Sequence, residues 1–202
     1  MKNKGVMAVV SGPSGVGKGT VCQYIVDNYE GFFLSVSATS RHPRPIEQDG
    51  VHYYFKTEQE FEDMIKNDEL LEHAQYVGKY YGTPKAPCME HIEKGENVIL
   101  EIEVQGGMKV KSNAPDTVMI FVVPPSMEEL RSRLTGRGTE SADVIEQRLD
   151  RAKEELKLME DYDYIVVNDT VESAAKQILS IIEAERLKTT HTLNNIKEGL
   201  GL

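Results

Sequence analysis

Between an apolar run, VMAVV (6–10), and a segment with helical spacing, VCQYIVDNY (21–29), the chain reads SGPSGVGKGT, residues 11–20. Gly12, Pro13, Ser14, Gly15, Val16, Gly17 and Lys18 fit the pattern G-x-x-x-x-G-K. Glycines in such a turn let backbone N–H groups curl around a phosphate. The lysine reaches the outer oxygens, and the helix that follows adds the partial positive charge of its N-terminus. The stretch is therefore expected to be a phosphate cradle. One position departs from the pattern: after Lys18, where such loops carry Ser or Thr, stands Gly19, and the hydroxyl follows one residue later at Thr20. Direct hydroxyl ligation of a divalent cation is not expected here. The ion is expected to be held through phosphates and waters.

Two arginine clusters add further anion-binding chemistry. Arg41 and Arg44 stand three apart and are followed by tyrosines, including Tyr53 and Tyr81. Guanidinium forks bind phosphate oxygens in pairs and a phenol donates one more hydrogen bond, so this set can clamp one phosphate. Arg131, Arg133, Arg137, Arg148 and Arg151 crowd around LTGRGTES (134–141), whose glycine-bracketed arginine reads as a flap. Arg131 and Arg151 are expected to be a solvated helix face. Glu101 and Glu103, two apart in ENVILEIEVQG, are expected on one face of a strand end, where carboxylates can hold the waters of a cation. The five histidines show no metal-ligand spacing. Cys22 and Cys88 form no C-x-x-C and read as packing thiols.

These residues must be positioned by a fold, and the chain alternates short β-branched runs with longer helical segments, the signature of a parallel sheet with crossover helices. Strands are predicted at 6–10, 32–36, 97–104, 117–123 and 164–167. Capping boxes Thr57-x-x-Glu60 and Ser126-x-x-Glu129 start two of the helices, and 141–160 has amphipathic spacing. The alternation breaks over 37–87, which reads as an inserted lobe with a hairpin around Gly78 and Lys79. The last residues, HTLNNIKEGLGL, read as a fraying tail. With 202 residues, a net charge of −10 and 40% hydrophobic content, the chain reads as soluble and cytoplasmic, without membrane span or signal peptide. The acidic balance argues against a nucleic-acid partner, and the local arginine clusters suit a small anionic ligand.

The ordered motifs Ser37-Ala-Thr-Ser-Arg41-His-Pro-Arg44, Gly50-Val-His-Tyr53-Tyr-Phe55, Leu71-Glu72-His-Ala, Tyr80-Tyr81-Gly82-Thr83, Arg133-Leu-Thr-Gly-Arg137-Gly-Thr139 and Val167-Asn168-Asp169 resemble the guanylate kinase family, over residues 4–187. The resemblance implies an α/β fold: a P-loop NTPase-type parallel five-stranded sheet flanked by helices, with an inserted mixed α+β GMP-binding lobe and a small lid. The expected division is a core of 1–36, 88–125 and 155–189, a lobe of 37–87, a lid of 126–154 and a tail of 190–202. The implied activity is transfer of the γ-phosphoryl group of ATP to GMP, giving ADP and GDP, with Mg²⁺ required, in purine nucleotide metabolism and GMP recycling. By resemblance, Gly12 to Thr20 and Asn168 bind ATP, and Ser37, Arg41, Arg44, Tyr53, Glu72, Tyr81, Thr83 and Glu103 bind GMP. Within these, Ser37, Glu72 and Thr83 read guanine, while Arg41, Arg44, Tyr53 and Tyr81 hold the phosphate. Lys18, Arg41, Arg137 and Arg148 are the expected catalytic set, with Arg133 a third lid arginine, and Glu101 is the one candidate beside the metal. Tyr54 and Tyr80 are expected to pack. Family members more often carry Asp where Glu103 stands.

Three other readings compete. A kinase for AMP or CMP would share the phosphate loop. A protein-binding module of the same fold would lack an intact loop, and the loop here is intact. A GTP-dependent switch would need an N-K-x-D motif, which the chain does not contain.

Overall fold

Five short apolar runs suit a parallel sheet whose central strands are covered on both faces. In the computed structural model, which describes residues 4–136 and 141–202, they form that sheet. In chain order the elements are β1 (Met7–Ser11), α1 (Lys18–Asn28), β2 (Phe32–Leu34), β3 (Ala38–Thr39), β4 (Tyr54–Phe55), α2 (Glu58–Lys66), β5 (Leu70–Tyr76), β6 (Lys79–Pro84), α3 (Lys85–Glu93), β7 (Asn97–Glu101) and α4 (Val104–Asn113). They continue with β8 (Val118–Val123), α5 (Met127–Thr135), α6 (Ala142–Leu156), a 3₁₀ turn (Lys157–Asp161), β9 (Tyr164–Val167), α7 (Val171–Arg186) and α8 (Thr189–Leu200).

The large sheet has the order β2-β7-β1-β8-β9, and its neighbouring strands run parallel. Successive side chains of a strand point to opposite faces, and the core divides accordingly. Ala8, Val10, Ile99, Ile120 and Val122 join α1 and α7 in one cluster with Ile25, Ile178 and Ile182. Val9, Val98, Leu100, Met119 and Phe121 face the other way, onto Ile92, Val104 and Val110 from α3 and α4. In an open parallel sheet, ligands bind beyond the carboxyl ends of the strands. Here the C-terminal end of central strand β1 runs into residues 11–17, and that of β7 ends at Glu101.

A second sheet, order β4-β3-β6-β5, is mixed: β3 pairs with β4 in parallel and with β6 antiparallel, and β5 pairs with β6 antiparallel. It has its own apolar cluster of Ala38, Phe61 and Leu70, against which Tyr54, Met64 and Tyr80 pack. Tyr80 stacks on Phe61 with ring centroids 5.2 Å apart. The expected capping box starts α2: the Glu60 N–H donates to Thr57 Oγ1 at 3.1 Å, and the Thr57 N–H to Glu60 Oε2 at 2.7 Å. The hairpin turn falls one residue before the predicted centre, on Val77 and Gly78, both with positive φ (48° and 70°). Paired positive φ values match the right-handed twist of the flanking strands. Helices α5 and α6 hold a third cluster, Leu130, Leu134, Ile145, Leu149 and Ala152.

Three expectations change in detail. At α5 only the Ser126 half of the capping box forms, the Glu129 N–H donating to Ser126 Oγ at 3.0 Å, because the Glu129 carboxylate pairs with Arg133. The strand predicted at 97–104 ends at Glu101, and Val104 already opens α4. The predicted fraying tail is helix α8, with Leu193, Ile196 and Leu200 exposed.

Candidate active site

The loop between β1 and α1 is shaped by backbone demands that only glycine meets at two points. Gly12 has φ of 146°, and a Cβ there would lie 2.2 Å from the Val122 carbonyl oxygen. Gly17, φ 95°, precedes α1, which has neither a side-chain cap nor an acidic residue in its first turn. The N-terminal N–H groups of α1 are thus offered to an external anion. Lys18 folds back over the loop, its Nζ donating to the carbonyls of Gly12 (2.6 Å) and Pro13 (3.2 Å). Burial pulls its pKa down, and Glu101 is the charge that opposes this most.

Glu101 also explains the departure at Gly19. A Cβ on Gly19 would stand 3.3 Å from both carboxylate oxygens of Glu101. The space that a Ser or Thr side chain fills in other loops of this pattern is occupied here by a carboxylate from the end of β7. Glu103 does not share that position. It is the N-cap residue of α4, exposed, and its Oε2 accepts from Arg151 Nη2 at 3.0 Å. The same-face expectation for the two glutamates therefore fails, because the strand stops between them. Arg151 also donates to Glu155 (2.8 Å), and Arg131 pairs with Glu146, joining α5 to α6. Both arginines lie on exposed helix faces, as expected from the sequence, in surface ion pairs.

Two of the residues expected at the nucleotide site contact the loop itself. Asn168 is buried, and its Nδ2 donates to the Val16 carbonyl at 2.8 Å. Arg133 donates from Nη1 to the same carbonyl (3.1 Å), from Nη2 to the Asn168 carbonyl (2.9 Å) and from Nε to Glu129 (2.8 Å). The two side chains tether the phosphate loop. A trans peptide places C=O and N–H on opposite sides, so pinning the Val16 carbonyl orients the Gly17 N–H the other way. Replacing Asn168 with alanine removes one of the two donors to Val16. The variant is expected to lose about 1–2 kcal/mol of stability, as for a broken buried hydrogen bond. Thermal melting checks this; an unchanged Tm would mean that the bond to Val16 does not hold the loop.

In the smaller sheet, Glu72 and Thr83 are register partners across β5 and β6. The Thr83 hydroxyl donates to Glu72 Oε1 at 2.9 Å, with both residues buried. Burial raises the Glu72 pKa, against the opposing effects of the Thr83 hydrogen bond and of Lys109. A Cβ on Gly106 of α4 would meet Glu72 Oε2 at 3.3 Å, so glycine keeps the approach to this carboxylate open. Ser37, half-buried ahead of β3, accepts the Tyr54 N–H on its carbonyl (2.8 Å). Arg41 lies over the Tyr53 ring, 5.4 Å from its centroid, and the Tyr53 and Tyr81 rings meet edge to face at 6.1 Å. Tyr54 and Tyr80 pack into the apolar cluster, as expected. Arg44 is exposed. One partner was missed by sequence reasoning: Glu47, whose carboxylate takes the Arg41 guanidinium, which holds its pKa down at about 2. Arg148 lies partly buried on α6, and Arg137 lies outside the described residues.

A glycine-rich loop leading from the central parallel strand into a helix that opens with Lys18 is the arrangement of a P-loop nucleotide-binding fold. The family model described as guanylate kinase matches residues 4–185. A guanylate kinase of Lactococcus lactis subsp. lactis is 53% identical over 96% of this chain and 94% of its own. One of Latilactobacillus sakei subsp. sakei is 49% identical over 100% of both. Among solved structures, guanylate kinase from Anaplasma phagocytophilum superposes with a TM-score of 0.75 at 36% identity, covering 98% of this chain and 95% of that one. The chain belongs to the guanylate kinase family.

Proposed function

We propose that this chain transfers the γ-phosphoryl group of ATP to GMP, giving ADP and GDP, with ATP on the loop at 12–20 and GMP against the smaller sheet. The observation that carries the reading is Glu72: a buried carboxylate, hydrogen-bonded to Thr83, on the same sheet as Tyr81. Guanine presents two neighbouring donors, N1–H and the exocyclic amino group, which a carboxylate accepts as a pair. Ser37 and Thr83 complete the base contacts. Arg41, Arg44, Tyr53 and Tyr81 hold the GMP phosphate. Glu103, at the N-terminus of α4, reaches the GMP side of the cleft when its pairing with Arg151 is exchanged.

Lys18 and the N–H groups of the loop bind the outer ATP phosphates, and Asn168 and Arg133 keep that loop in shape. Arg137 and Arg148 bring positive charge to oxygens that are crowded in the transition state. No general base is needed, because the GMP phosphate is already an anionic nucleophile; positioning and charge neutralisation carry the rate. Among the described residues no group of three or more His, Cys, Asp and Glu could cage a metal. A hydrated Mg²⁺ arriving with ATP needs only one or two carboxylates besides phosphate oxygens. Glu101, against Gly19 and beside Lys18, fits it and would hold its waters, the ion supplying charge neutralisation between phosphates.

We further propose that the lobe of 37–87 and the lid of 126–154 close on the core of 1–36, 88–125 and 155–189 when both nucleotides bind, excluding water from the transferring group. Among the described residues no helix is long and apolar enough to cross a membrane. The reaction belongs in the cytoplasm, in GMP recycling within purine nucleotide metabolism. A coupled assay supplying ATP with GMP, AMP, CMP or UMP tests the reading. Turnover is expected with GMP; equal or better turnover with another monophosphate would overturn it.

A further inference from the structure

The guanidinium assigned to the GMP phosphate is already engaged at one end. Arg41 Nη1 donates to Glu47 Oε2 (2.9 Å) and to the His42 carbonyl (2.8 Å), and Nη2 donates to Glu47 Oε1 (2.8 Å). The same carboxylate accepts the Arg44 backbone N–H at 2.7 Å, while the Glu47 N–H donates to the Arg44 carbonyl at 3.0 Å. The pair is partly sheltered, with side-chain exposures of 20% for Arg41 and 10% for Glu47.

A guanidinium has five N–H donors in a fixed plane. Glu47 and the His42 carbonyl take three, all at the Nη end, and the Tyr81 side chain is a further hydrogen-bond partner of the group. The two that Glu47 and His42 do not take, Nε–H and the outer proton of Nη2, are parallel and lie on the side edge. That edge forms two-pronged bonds with a carboxylate or phosphate as readily as the end does. The face of the same group rests on Tyr53 and, 5.9 Å away, on Phe55.

We propose that Glu47 is a positioning residue of the phosphate clamp: it grips the end of the Arg41 guanidinium, leaves the side edge for the phosphate of the nucleoside monophosphate, and through the Arg44 N–H fixes the turn that carries both arginines. The inference rests on the assignment of Arg41 to the GMP phosphate. A carboxylate that merely sat in the phosphate's place would have to leave when the nucleotide arrived. Its bond to the Arg44 N–H and the turn closed by its own N–H tie it down.

The test is steady-state kinetics on Glu47→Gln, Arg41→Ala and the double variant of the full chain, with melting curves for each. Glu47→Gln is expected to raise the KM for GMP about tenfold to a hundredfold, the loss of a charged hydrogen bond. Its kcat should change much less, and its KM for ATP not at all. In the Arg41→Ala background the same change should cost clearly less than in wild type, because only the hold on the Arg44 turn remains to be lost. An unchanged GMP KM in Glu47→Gln, alongside a raised one in Arg41→Ala, overturns the role of Glu47 and leaves the clamp standing. A lowered GMP KM identifies Glu47 as a competitor of the phosphate and overturns it as well. A full, additive penalty in the double variant means a general folding effect and counts against the proposal. An unchanged GMP KM in Arg41→Ala removes the clamp assignment itself.

Discussion

Lys18→Met is expected to leave the chain folded while lowering kcat about 10³-fold, the scale of losing one preorganised charge on a transferring phosphoryl group. The ammonium is held over the loop by the Gly12 and Pro13 carbonyls, where phosphate oxygens are to sit. Burial makes its charge costly, and Glu101 offsets part of that cost. Methionine fills the same space without the charge, so the relief of desolvation counters the two lost hydrogen bonds and Tm should move little. The KM for ATP should rise less than kcat falls, because the lysine acts most strongly where charge develops. Circular dichroism melting with steady-state kinetics checks both halves. A folded Lys18→Met protein with near-normal turnover would remove Lys18 from the phosphate site.

Glu72→Gln is expected to weaken use of GMP by about 2–3 kcal/mol in kcat/KM, the scale of a hydrogen bond to a charged group. Use of AMP should rise relative to GMP. Adenine presents a lone pair at N1, so against wild-type Glu72 it meets repulsion and leaves a buried carboxylate unpaired. An unchanged ratio of kcat/KM for the two nucleotides would mean that Glu72 does not read the base. Stability should move the opposite way. The folded pKa of Glu72 is raised by burial, so between the unfolded value and the folded one the native state keeps a proton that the unfolded chain has lost. Stability therefore falls as pH rises through that window, and the penalty persists above it. Glu72→Gln removes the penalty, so the unliganded variant should melt higher than wild type near neutral pH. The gain should shrink as the pH falls below the ordinary carboxylate range.

The sequence made the phosphate loop legible because its geometry imposes residue types. Gly12 sits where any side chain would strike the Val122 carbonyl, and such a demand shows as a letter. The central strands β1, β7 and β8 were legible for a similar reason, since burial on both faces leaves an almost unbroken apolar run. What stayed hidden were pairings between residues distant in the chain. Nothing local marks Asn168 and Arg133 as partners of Val16, or Glu103 as the partner of Arg151; the fold brings them together. The end of β7 was misread because EIEV continues the alternation of a strand. The Ile102 N–H still reaches the Val10 carbonyl, at 3.4 Å, but β1 ends at Ser11 and turns into the loop, so the ladder has no further partner and α4 begins. Glu47 was within reach, six residues after Arg41 and three after Arg44, had the clamp been asked what holds its arginines. The helical spacing of Leu193, Ile196 and Leu200 was likewise present in the tail that the sequence reading left frayed.

In the proposed function, an ionised, buried Glu72 recognises the guanine of GMP. Calorimetric titration of GMP into wild type and Glu72→Gln, from pH 5 to pH 8, tests it most directly. The GMP phosphate titrates in both experiments, so the difference between the two proteins isolates the side chain. The account predicts that wild type binds more tightly at the upper end, that its advantage declines as pH falls through a pKa above the ordinary carboxylate range, and that Glu72→Gln lacks this step. Parallel pH profiles with equal affinities would contradict it.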